Sequence, residues 1–79
     1  MKLLKELEKE MWRTGWAYMR VGYNDTHVED GLQLDISNVP YEDGGYDFEN
    51  GGQVECFGGD LEWCLKSALE YLKAKPEVK

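Results

Sequence analysis

The sequence predicts an α+β domain: an N-terminal helix, a four-stranded antiparallel sheet and a C-terminal helix, with both helices on one face of the sheet. Three observations predict it. Apolar residues recur at helical spacing near both ends of the chain, and the middle alternates between apolar and polar residues with glycine pairs between the alternating runs. A hydrophobic content of 42%, with 13% aromatic residues, is too high for a disordered chain. At 79 residues the chain is about half the usual length of one domain, so residues 1–79 are expected to form a single small domain.

The first helix is expected over residues 2–13. Leu3, Leu4, Leu7 and Met11 form its apolar stripe, Lys5 and Lys9 flank it, and Thr14-Gly15 stops it. Residues 16–23 alternate, with Ala17, Met19 and Val21 opposite Trp16, Tyr18 and Arg20, which suits a first strand. A polar loop over residues 24–31 leads to a second strand, where Leu32, Leu34 and Ile36 alternate with Gln33, Asp35 and Ser37. Val39-Pro40 ends it. After a turn at Glu42-Asp43-Gly44-Gly45, Tyr46 and Phe48 mark a third strand. Asn50-Gly51 marks a tight reversal, and Val54 and Cys56 mark a fourth strand paired with the third. Asp60 stands where a carboxylate can cap the last helix, whose stripe is Leu61, Cys64, Leu65, Ala68, Leu69 and Leu72, running to about residue 74. Pro76 follows, and a loose tail is expected over residues 77–79. Trp12, Trp16, Trp63 and Tyr71 are more large rings than so small a core hides easily, so some are expected at an interface.

Charge is distributed unevenly. Lys and Arg total 9 against 16 Asp and Glu, a net charge of −7. Between Val21 and Leu65 there is no cation, and Asp25, Glu29, Asp30, Asp35, Glu42, Asp43, Asp47, Glu49, Glu55, Asp60 and Glu62 place eleven negative charges there. The first twenty residues and the last fourteen each carry +2. This balance repels phosphate, so direct contact with nucleic acid or anionic membrane is disfavoured and a basic partner is favoured. Solubility alone accounts for a charge of this size as well. No apolar run is long enough to span a membrane, no secretory leader is recognisable, and two cysteines are too few for a disulfide scaffold. A cytoplasmic protein is expected.

Enzymatic and metal chemistry find little to work with. Cys56, Cys64 and His27 are too few for a zinc site, with the histidine on a separate loop. A calcium loop starting at Asp43 would need Glu where Val54 stands. Cys64 falls on an apolar helical stripe, where a thiol packs as a small hydrophobe. Asp47 and Glu49 alternate outward into water, where neither becomes a general acid. The glycine pairs fit no phosphate-loop pattern. Neither enzymatic activity nor any metal or cofactor is expected.

Two resemblances add to this reading. The stretch Gly59-Asp60-Leu61-Glu62 through Cys64-Leu65, Ala68, Glu70 and Leu72, about a fifth of the chain, resembles the closing helix of HicB-like antitoxin domains, G-x-T-x-E-E-A-x-x-N-A-x-E-A-L. Asp60 stands where that family has Thr, Trp63 where it has Glu and Ser67 where it has Asn, and this chain opens with a helix instead of a strand. The resemblance implies an antitoxin that neutralises a small RNase toxin. In overall profile the chain is similar to small phage-encoded inhibitors of bacterial defence, above all anti-CRISPR proteins: acidic, compact and built from a few strands and helices. That similarity implies a stoichiometric, DNA-mimicking inhibitor in the host cytoplasm. Its partner would be a basic protein or ribonucleoprotein complex such as a CRISPR effector.

Same-face carboxylates on a strand lie ~6.6 Å apart and neighbouring strands ~4.8 Å apart, so an acidic sheet face would form a compact anionic array. Asp35, Asp47, Glu49 and Glu55 are therefore expected as sheet-face contacts to the partner, and Glu42, Asp43 and Asp60 as loop contacts. Tyr41, Tyr46, Phe57 and Trp63 are expected as aromatic anchors. A homodimeric interaction module is the third reading of the same chain.

Overall fold

The computed structural model describes residues 2–23 and 32–78. The loop expected over residues 24–31, His27 and three of the eleven central acids included, lies outside them. The elements are helix α1 (Lys2–Thr14), strands β1 (Tyr18–Tyr23), β2 (Leu32–Ser37), β3 (Tyr41–Glu42), β4 (Gly45–Tyr46) and β5 (Val54–Gly59), and helix α2 (Leu61–Lys73). The α+β expectation is met, but not the single four-stranded sheet. β1, β2 and β5 form one antiparallel sheet in the order β1-β2-β5, and β3 and β4 form a separate two-stranded hairpin.

The helices form for the reasons their stripes suggest, except that Leu4 and Leu61, expected in those stripes, are exposed. Leu7 and Met11 of α1 are buried, as are Cys64, Leu65, Ala68, Leu69 and Leu72 of α2. All of them join Leu34, Ile36 and Trp16 in one core. The Thr14 hydroxyl donates to the Glu10 carbonyl at 2.7 Å, and Gly15 leaves the helix at φ +79°. At the other helix, the Asp60 carboxylate accepts the Trp63 N–H at 2.8 Å, so the first turn of α2 is capped as expected. The stretch that resembles the HicB-like closing helix thus consists of this cap and the buried stripe of α2.

Strand pairing departs from the sequence pattern. A third strand running into Glu49 and paired with β5 does not form, because the chain turns on itself first. Gly52 N–H donates to the Asp47 carbonyl at 3.0 Å, and the Asp47 carboxylate accepts from both the backbone and the side-chain amide of Asn50. Gly52 is needed there, since a Cβ would collide with the Asp47 carbonyl and with Val39 Cγ2. The start of β5 is handed to β2 instead. Ser37 Oγ donates to the Gln53 carbonyl at 2.7 Å, and Asn38 Oδ1 accepts the Gln53 N–H at 2.7 Å. The resulting register sets Leu34 beside Phe57, Asp35 beside Cys56 and Ile36 beside Glu55.

The first strand starts at Tyr18, two residues later than expected, and Trp16 turns inward to 6% exposure. Its ring meets Tyr71 edge-on at 5.6 Å between centroids, and Tyr71 meets Phe57 at 5.9 Å. Lys75 Nζ sits 4.6 Å from the Trp16 ring and 4.7 Å from the Tyr71 ring, closing this aromatic corner with a cation. The tail, expected to be loose, is tied down as far as Val78. Val78 N–H donates to the Arg13 carbonyl at 2.9 Å, and Arg13 Nη2 donates to the Leu72 carbonyl at 2.9 Å.

Candidate protein-binding surface

The carboxylates expected on one plane are placed on different surfaces. Adjacent residues of a strand project to opposite faces, and directly paired residues share a face. Glu55 pairs with Ile36 and so lies on the helix side of the sheet, half-buried. Asp35 pairs with Cys56 and with Arg20 and lies on the opposite side. Asp47 and Glu49 belong to neither face, since residues 47–51 form the turn described above. The continuous sheet-face array of Asp35, Asp47, Glu49 and Glu55 is therefore not formed.

Asp35 is a structural residue. Only 6% exposed, it accepts from Gln33 Nε2 at 3.0 Å and lies 3.9 Å from Arg20 Nη1. Its surroundings include Cys56, whose thiol is pushed up to about 11 by desolvation first and by the neighbouring Asp35 carboxylate second. Tyr46, near both, has its phenol raised by desolvation and then by the Asp35 charge. Cys64 is raised by burial and donates weakly toward the Phe57 carbonyl at 3.5 Å. Both thiols therefore stay protonated at neutral pH, which leaves them poor nucleophiles. No group of three or more His, Cys, Asp or Glu side chains among the described residues could hold a metal ion.

The hairpin and the turn after it bring together a different set. Glu42, Asp43, Asp47 and Glu49 are all exposed, and none makes an ion pair among the described residues. Between them stand three rings. Tyr41 is half in solvent, Phe48 is 59% exposed, and Tyr46 lies between them, 5.1 Å from Tyr41 and 6.2 Å from Phe48 by centroid. The Arg20 guanidinium packs on the Tyr41 ring at 4.0 Å and so anchors the hairpin to β1. Asp60 and Trp63, both exposed, mark the start of α2, with the Asp60 carboxylate occupied by its cap. Phe57 packs against the core, which makes it a poor anchor.

Phe48 is an exposed ring of this surface that the sequence reading did not single out. Its signal was available, because a large ring flanked by Asp47 and Glu49 and followed by Asn50-Gly51 stands in a strongly polar stretch with Tyr46 beside it. No helix among the described residues is long and apolar enough to cross a membrane. Comparison of the chain with protein-family models, with characterised proteins and with solved structures finds no match.

Proposed function

We propose that this protein is a stoichiometric inhibitor that binds a basic, nucleic-acid-binding surface of a partner through its hairpin and the following turn. The observation that carries this reading is the composition of that surface. Four exposed carboxylates, Glu42, Asp43, Asp47 and Glu49, alternate with the exposed rings of Tyr41 and Phe48. Carboxylates on such a surface speed encounter with a cationic groove and set its specificity, and rings that lose water on contact supply the affinity. The target class, a nuclease complex of bacterial defence as for anti-CRISPR inhibitors, comes from the similarity of overall profile. In this reading Asp35 is held within the fold, Glu55 and Asp60 lie away from the hairpin, and Trp63 is a peripheral contact.

The test is competition. A captured target should release the protein when short duplex or single-stranded nucleic acid is added, and binding should weaken as salt rises. The triple variant Glu42→Lys, Asp43→Lys, Glu49→Lys should lose the target while its circular dichroism is unchanged. Asp47 is left in place because its carboxylate holds the turn. Retention of the target by the folded triple variant would refute the assignment of this surface.

A further inference from the structure

Five large hydrophobic side chains left in solvent belong to α1 and β1: Leu4, Trp12, Tyr18, Met19 and Val21. None is part of the acidic hairpin. Leu4, Met11 and Trp12 from α1, Ala17 just before β1 and Met19 within it line a groove of about 310 Å³, with Glu8 at its rim. Val21 continues this apolar surface, because it pairs with Leu34 and shares its face of the sheet. Trp12, at 73% exposure, contributes a ring that the monomer scarcely uses.

The groove borders an open strand edge. β1 pairs with β2 on one side, and among the described residues no strand pairs with its other side. Every second residue of such an edge directs its N–H and C=O outward, ready to bond an incoming strand. A suitable occupant is therefore an extended segment whose alternate side chains are apolar on the groove side. β1 meets that description itself through Met19 and Val21.

Charge permits the same occupant. The first twenty residues carry +2 while the chain carries −7, so the segment that supplies the groove lacks the acidic excess that would repel a second copy. A strongly basic partner gains nothing there. An isologous contact must also match itself, and α1 offers both signs beside the groove, Glu8 at its rim and Lys5 and Lys9 on the neighbouring flank. We infer that a second copy of this chain docks on this face, β1 antiparallel to β1. The two three-stranded sheets join into one of six strands, and the groove residues of both copies, Trp12 included, are buried along the seam.

Salt gives this interface a signature opposite to that of the target surface. Screening reduces repulsion between two anionic chains and leaves apolar burial intact, so higher salt tightens the dimer while it loosens the target. Sedimentation of the full chain from about 1 to about 300 µM spans the affinities of interest. The expected result is a concentration-dependent dimer that is favoured by salt and reduced to monomer by Trp12→Arg and by Val21→Lys. A monomer throughout that range at high salt overturns the inference, and so does a dimer that survives both substitutions. Amide exchange of the wild type decides the matter without any variant. Residues 18–23 should exchange more slowly as protein concentration rises, and a dimer in which their exchange ignores concentration places the interface elsewhere.

Discussion

The two faces of β2 are both buried, but by different chemistry. On one, Leu34 and Ile36 at 0% exposure meet the aliphatic side chains of α1 and α2. On the other, Asp35 and Ser37 are equally hidden, with polar partners: Arg20 and Gln33 for Asp35, and the Gln53 carbonyl for Ser37. The first face obtains its stability from apolar area removed from water, and the second from polar groups that find partners. A carboxylate in the middle of an acidic run is thus not automatically a surface charge. Where it sits on a covered face it is held by polar partners, and only the exposed carboxylates are open to a partner.

The largest effect expected from this comparison is on the aliphatic face. Leu34→Ala should cost about 2–5 kcal/mol in urea unfolding, because it leaves a cavity between the sheet and α2. A loss within the error of the measurement would mean that the helices do not pack there. On the polar face, Asp35→Ala should cost less, about 1–3 kcal/mol, through the polar groups it leaves without their acceptor. The folded variant should nonetheless bind the target as well as the wild type. A drop in its affinity that exceeds the drop in its folded fraction would return Asp35 to the contact surface.

Away from both faces, Asp60→Ala should cost about 0.5–2 kcal/mol by removing the cap of α2, and Asp60→Asn should restore most of it. The smallest effect is a pH dependence. The Cys56 thiol is raised from 9.0 to about 11 in the fold, so the fold favours its protonated form. That contribution is fully present below pH 9 and is lost as pH rises through about 11. Urea midpoints of the wild type should therefore fall faster over this interval than those of Cys56→Ala, and parallel curves would remove the thiol from the polar cluster.

How much of this could be read in the sequence depended on how local each cause was. The helices were legible because their determinants lie within one or two turns: the Leu7 and Met11 stripe, the Asp60 cap, and the Cys64 to Leu72 stripe. The turn at residues 42–45 was legible for the same reason, though not the hairpin of Tyr41–Glu42 and Gly45–Tyr46 that it closes. Pairing of β5 with β2 was not, since it rests on bonds from Ser37 and Asn38 to Gln53, sixteen and fifteen residues away. Asn50-Gly51 reads as a strand reversal, yet the Asp47 side chain uses it for a local turn. Alternation separated Asp35 correctly from Leu34 and Ile36, but period two says only that faces differ. It does not reveal that a pair of tyrosines and Arg20 stand beside the second face. The same limit hid the exposed edge of β1, where Met19 and Val21 alternate like core residues and face a sheet margin that the helices leave open.

The most direct measurement is a paired capture from host lysate with the wild type and the Glu42→Lys, Asp43→Lys, Glu49→Lys variant as baits, each washed with competing nucleic acid. The account predicts one nucleic-acid-binding protein or ribonucleoprotein held by the wild type, displaced by the competitor and absent from the variant. Capture of the same partner by both baits, indifferent to the competitor, would contradict it.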